Sequence, residues 1–269
     1  MITFSTCWYI IDKAKFNNQI YKSWFSNLLL NVNNFYLIVY TDEKSKDMLL
    51  PYINDNKNIK LIILPQEEFY NYRYKEKWEQ NHDKNNAINR ISSWHLNMLW
   101  AEKISFVKRT VENNYFNTKW FGWVDIGYFR GRERDIPVSE IKYWPNNNII
   151  ANLDKEKIHY ANICNSTSYF RDLVLSCNDK NDKGLPRMPI PSLQISIGGG
   201  FFLIHKEKID WWFSTFDKML QLYFENNYVV KDDQMIILNC ISINMDRFNL
   251  YYENNPRYDN WFMFQRLLK

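Results

Sequence analysis

Two acidic places in this sequence sit where a charge needs a reason. In Trp120-Phe-Gly-Trp-Val-Asp-Ile-Gly-Tyr-Phe-Arg130, Asp125 follows a run of aromatic, aliphatic and glycine residues that reads as a buried strand. An ionised carboxylate in such surroundings is costly unless it is paired, hydrogen-bonded or metal-bound. At the C-terminal end of a strand in an α/β sheet it also stands where such folds bind ligands. The alternative is a turn cap, with the side chain accepting backbone N–H groups at Ile126-Gly127. The second place is Lys231-Asp-Asp-Gln-Met235, which opens an apolar helical stretch. One of Asp232 and Asp233 suffices as the N-cap. The other is then free to act as a general base or to hold a hydroxyl, with Gln234 beside it as a hydrogen-bonding group.

Cations accompany the first place. Arg130, Arg132 and Arg134 alternate after Asp125 and could meet a phosphate, although such runs are commonly solvated loops. Lys103, between Trp100 and Phe106, either offers an ammonium to a nucleotide or snorkels beside an apolar helix face. Gly198-Gly199-Gly200 interrupts a strand, which weakens it unless a ligand or another backbone approaches closely. A bulky group such as a sugar ring would fit over that floor; a bulge is the competing account. The four histidines lack zinc-ligand spacing, and His205 is placed at the cleft only as the end of the glycine strand. No dinucleotide, P-loop or hydrolase-elbow signature is present.

The elements that must position these groups alternate. Apolar, β-branched runs at 2–11, 35–40 and 59–64 read as strands, and residues 17–30 carry apolar side chains at helical spacing. Residues 66–114 read as mostly helical, with a loop around 82–89 and a helix from Trp94 to Val107 leading into the Asp125 strand. Short strands are expected at 149–153 and 158–164, then a polar, proline-bearing loop over 176–192 and the glycine strand. Helices over 206–226 and 232–243, a strand at 248–252 and a terminal helix follow. Strands alternating with helices predict a mostly parallel sheet with crossovers. A single domain over 1–269 is expected.

Composition narrows the function. The net charge of +4 and pI of about 8.7 are too small for an electrostatic nucleic-acid binder, so no nucleic-acid partner is expected. The aromatic share of 17% suits a compact core and also permits stacking on carbohydrate faces. Cys7, Cys164, Cys177 and Cys240 are scattered without C-x-x-C spacing, which suggests free thiols in a reducing compartment. No uncharged run is long enough for a transmembrane segment, and a soluble, cytoplasmic protein is expected.

The order of these features is similar to that of GT-A glycosyltransferases. Tyr36-Leu-Ile-Val-Tyr-Thr-Asp42, Trp100-Ala-Glu-Lys-Ile-Ser-Phe-Val107, Phe121-Gly-Trp-Val-Asp-Ile-Gly127, Gly198-Gly-Gly-Phe-Phe202 and Asp232-Asp-Gln234 resemble the HtrL/YibB family of glycosyltransferases. The resemblance implies an α/β, GT-A-like (Rossmann-like) fold with a mixed, mostly parallel central sheet flanked by helices. Residues 1–130 would bind a nucleotide sugar and residues 131–269 a glycan or other hydroxyl acceptor. It further implies donor contacts from Thr6, Lys103, Asp125, Gly127, Arg130, Gly199 and Gly200, catalysis by Asp232 or Asp233, and acceptor contacts from Gln234 and His205.

The strand-end D-x-D of GT-A enzymes binds a divalent ion, which makes Asp125 the implied ligand for Mn2+ or Mg2+. Here the second acidic place is Gly127. Either Asp125 alone holds the ion, with phosphate and water completing its shell, or Arg130, Arg132 or Lys103 neutralises the diphosphate without one. An inactive glycan- or nucleotide-binding protein of the same fold is the main alternative function. A nucleotidyltransferase is a weaker one, since Thr6-Cys-Trp-Tyr9 offers no glycine-rich phosphate loop.

Overall fold

A computed structural model describes residues 1–11, 17–53 and 55–269. Its centre is a seven-stranded sheet of order β3-β2-β1-β4-β6-β5-β7. The strands are β1 (Ile2–Trp8), β2 (Tyr36–Thr41), β3 (Ile59–Ile63), β4 (Trp120–Val124), β5 (Ile158–Asn162), β6 (Ile197–His205) and β7 (Phe248–Tyr252). Only β6 runs antiparallel to its neighbours β4 and β5; the remaining pairs are parallel. The expected mixed, mostly parallel sheet is therefore present. β1 has β2 on one side and β4 on the other. The chain reverses its order across the sheet there, and the carboxyl ends of β1 and β4 border the crevice.

β1 and β4 are buried throughout, which is what central parallel strands covered on both faces require. On one face lie Phe4, Trp8, Phe35, Val124, Trp144 and Phe201 in a common apolar cluster. On the other, Trp123, Phe202 and Ile204 share a cluster with the helices α2 (Lys75–Lys84), α3 (Trp94–Ala101), α4 (Lys103–Asn113), α6 (Ile209–Glu225) and α7 (Asp233–Ser242). The two further long helices are α1 (Asn18–Leu29), before β2, and α5 (Thr167–Asn178), after β5. Ser5 of β1 reaches Thr110 of α4 at 2.7 Å, which ties this helix to the middle of the sheet.

Two expectations are corrected. The run 149–153 is not a strand: Asn147–Ala151 is one helical turn, capped by the Asn146 side chain accepting from Asn148 N at 3.0 Å. A short apolar run has no period long enough to separate strand from helix, and here the local cap decides. The helix entering β4 is also interrupted, at Glu102. That buried carboxylate accepts from Tyr70 N (2.9 Å), Asn71 N (2.9 Å) and Asn71 Nδ2 (2.7 Å), so the break serves to anchor a neighbouring loop.

Gly122 permits the close packing of β4. A Cβ there would stand 2.4 Å from the Phe202 carbonyl oxygen and 2.9 Å from the Phe4 ring. Gly122→Ala is expected to destabilise the fold by about 1–3 kcal/mol, as overpacking of a rigid core does, read as a lower urea midpoint at unchanged m-value.

Candidate functional site

Lys103 opens α4, and its ammonium lies where three distant elements meet. It donates to the Gly199 carbonyl of β6 at 2.9 Å and stands 3.1 Å from Asp125 Oδ1, after β4, and 3.4 Å from Asp233 Oδ2, at the start of α7. Its side chain is only 10% exposed. Burial alone would lower the lysine's proton affinity; Asp125 and then Asp233 outweigh that and hold it above the ordinary range, so the ammonium stays charged. This is a buried ion triad, and losing either sign would strand the other in low dielectric. Of the two readings of Lys103, the snorkelling one is excluded by this burial.

Asp125 is not a turn cap. Its backbone carbonyl accepts from Tyr128 N, while its carboxylate receives the Trp123 indole N–H at 2.6 Å and the Lys103 ion pair, both on Oδ1. Trp123 is two residues upstream on the same strand, so pleat alternation sends both side chains to one face. That period-two relation was available in the sequence, but the tryptophan read simply as core. The Asp125 side chain remains 43% exposed and faces the cleft.

The aspartate pair divides its work. Asp232 is the N-cap of α7, accepting from Met235 N at 3.2 Å, and pairs with Lys231 at 3.1 Å. Asp233 is buried and joins the triad. Burial, reinforced by Asp232 and Asp125 and opposed by Lys103, pushes its carboxyl up to about 7. The turn before α7 is held by a set of amides that no motif announced. Asn81, Asn85 and Asn97 all donate to the Val230 carbonyl, at 2.8, 3.1 and 3.0 Å, and Asn81 Oδ1 accepts from Val230 N at 2.8 Å. These asparagines fix the height at which Asp233 enters the site.

The bare backbone of β6 makes room for the carboxylates, not for open space. A Cβ on Gly199 would stand 2.9 Å from Asp233 Oδ2 and 3.0 Å from Gln234 Cγ; one on Gly200 would stand 3.1 Å from Asp125 Oδ2. The pairing of β5 with β6 shifts register between Tyr160 and Asn162, so the ladder is irregular beside the glycines. The close approach that the glycine run permits is thus made by the protein's own side chains, Asp125, Asp233 and Gln234.

Beside the triad opens a cleft of about 740 Å³, solvent-facing space included. Cys7, Trp8 and Tyr9 at the end of β1 form one wall; Tyr21 and Trp24 of α1, Leu96, Leu99 and Trp100 of α3, and Lys103, Trp123, Asp125, Gly127 and Arg130 complete it. Arg130 lies over the Trp24 ring, 4.3 Å from its centroid, and donates to the Gly127 carbonyl at 3.2 Å. The aromatic lining was not anticipated, because tryptophans at helical spacing read as core. Cys7 is at the floor, and burial pushes its thiol up.

Other anticipated residues lie elsewhere. Thr6 is fully buried within β1 and does not line the cleft, which begins one residue later at Cys7. His205 lies opposite Trp120, at the start of β4, because β6 is antiparallel; the cleft is at the other end of the sheet. Its Nδ1 accepts from Glu207 N at 3.5 Å. Arg132 is paired with Asp135 (2.9 Å) and Asp259 (3.1 Å), and Arg134 is exposed outside the cleft. All four cysteines are free.

No protein-family model matches this chain, and no curated protein matches it. Among solved structures, it superposes on the crystal structure of mouse xyloside xylosyltransferase 1, apo form, with a TM-score of 0.51 and 11% sequence identity, covering 93% of this chain and 84% of that one. The likeness is one of fold: a mixed α/β architecture with a mostly parallel central sheet flanked by helices. Among the described residues no helix is long and apolar enough to cross a membrane.

The raised Asp233 has a stability consequence. Folding favours its protonated form, so its contribution is fully present below the unfolded carboxyl value near 4 and is lost as pH rises towards about 7. Asp233→Asn, which carries no such charge, should gain on the unsubstituted protein by about 2 kcal/mol between pH 5 and pH 8 in urea unfolding. A difference independent of pH would show that Asp233 is ionised throughout.

Proposed function

We propose that this chain is a glycosyltransferase that moves a sugar from a nucleoside diphosphate sugar to a glycan or other hydroxyl acceptor. The observation that carries this reading is the Lys103 bridge: one ammonium joins Asp125, beside the cleft, to Asp233 at the head of α7. The fold it has in common with the xylosyltransferase structure supports it, as does the resemblance of its motifs to the HtrL/YibB family. The cleft is lined wholly from within residues 7–130, in keeping with a donor site built by the first half of the chain.

Glycosyl transfer has to stabilise a departing diphosphate and a cation-like sugar while activating a weak nucleophile. In this reading the donor lies in the cleft with its base against the aromatic lining around Tyr21 and Trp24. Arg130 and Lys103 supply positive charge where the leaving diphosphate develops negative charge, in surroundings fixed before reaction begins. Asp125 accepts a donor hydroxyl. The acceptor hydroxyl oxygen attacks the anomeric carbon, the bond from that carbon to the diphosphate oxygen breaks, and the hydroxyl proton passes to Asp233. A proton affinity near neutrality suits that group, because it is ionised often enough to act and basic enough to take the proton. Gln234, packed beside Gly199, orients the acceptor. Asp232 is left to its cap.

The test is release of nucleoside diphosphate from a panel of nucleotide sugars, with and without glycan acceptors. Asp233→Asn should lower kcat about 100-fold while nucleoside diphosphate affinity, measured calorimetrically, changes by less than about threefold. Equal loss of both would contradict the role of base. The active form is the ionised one, so kcat should rise with pH through about 7, and that acid limb should vanish in the residual activity of the Asn variant.

A further inference from the structure

The two-carboxylate metal site of D-x-D enzymes does not fit these residues. The second acidic position is Gly127, and a Cβ there would come within 2.7 Å of the Trp24 ring. A carboxylate side chain cannot start from that position without displacing the tryptophan. Among the described residues there is no group of three or more His, Cys, Asp or Glu placed to share an ion. Asp125 Oδ1 already serves two donors, the Trp123 indole and the Lys103 ammonium.

What the site does contain is a cation of its own. The oxygens around Lys103 Nζ are two carboxylates and one backbone carbonyl, at 2.9–3.4 Å, the hard-oxygen set that a divalent ion would take. A metal held by Asp125 at about 2.1 Å would stand next to this ammonium and repel it at short range. Lys103 cannot withdraw, since α4 begins at that residue and the side chain is enclosed by β6 and α7.

We propose that the site works without a divalent ion and that the Lys103 ammonium is the fixed cation standing in its place. This rests on the glycosyl-transfer reading for its catalytic meaning, but the occupancy of the position is a separate physical statement. Lys103 fixes the two acids relative to each other and gives the diphosphate a positive charge that needs no loading. The cation is then independent of metal supply, and the energy of the triad is built in when the chain folds.

The decisive experiment is a Mn2+ titration of the full chain followed by the electron paramagnetic resonance of free Mn2+. The unsubstituted protein should show no saturable site below about 1 mM. Lys103→Ala, and Lys103→Met as a variant that keeps the packing of the stem, vacate the position while leaving Asp125, Asp233 and the Gly199 carbonyl. Either folded variant should bind Mn2+ at least about tenfold more tightly than the unsubstituted protein, and adding Asp125→Asn should remove the gain. Saturable Mn2+ binding by the unsubstituted protein below about 100 μM that Asp125→Asn abolishes would overturn the proposal, even if both lysine variants fail to fold. So would folded variants that bind no better than the parent.

Turnover adds a second arm. Release of nucleoside diphosphate should change less than about twofold after treatment with EDTA, whereas a loss above about tenfold restored by Mn2+ would refute the metal-free site. If no nucleotide sugar is consumed under either condition, the glycosyl-transfer reading fails, and the Mn2+ titration still decides what occupies the position.

Discussion

The structure around the cleft depends on one buried ammonium. Lys103 is held by Asp125, Asp233 and the Gly199 carbonyl, which belong to the end of β4, the start of α7 and the first part of β6. A charge so little exposed is tolerable only when its counter-charges are placed for it, and each partner in turn is held by something else. Trp123 holds Asp125, and the amides of Asn81, Asn85 and Asn97 hold the chain that delivers Asp233. Glu102, next to the lysine, anchors a loop from the opposite direction. The polar network is enclosed in one of the most apolar parts of the fold, where an unmade contact costs most.

Several features that look independent follow from this constraint. The glycines of β6 are needed because two carboxylates must approach a strand more closely than any side chain would permit. The interruption between α3 and α4 sets the lysine at the first turn of its helix. The antiparallel course of β6 turns its glycine-bearing half towards the carboxyl ends of β1 and β4, and by the same reversal carries His205 to the far side of the sheet. The aromatic cleft then lies directly beside a charged centre whose geometry is settled before any ligand arrives, which is the condition under which fixed charges assist a reaction most.

Much of this was legible in the sequence. Apolar runs of strand length separated by helical periods marked a mostly parallel sheet, because backbone geometry imposes those periods on any chain that buries one face. Asp125 stood out since its neighbours could not solvate it, and only one member of the Asp232-Asp233 pair was needed to cap a helix. Gly127 in place of a second acid was readable directly. These are statements about residues and their neighbours in the chain, and local sterics and solvation are enough to make them.

Only the tertiary structure decided which groups meet. It made Asp232 the cap and Asp233 the partner of Lys103, buried Thr6 short of the cleft, sent His205 to the opposite end of the sheet, and tied Arg132 to Asp135 and Asp259 away from the cleft. It also turned 147–151 into a helix where the apolar run suggested a strand. None of these is encoded by local period. The direction of a strand, the packing height of a helix and the partners of a buried charge come from simultaneous burial of elements far apart in the chain, so the two readings of Lys103 stay open until three other elements close around it.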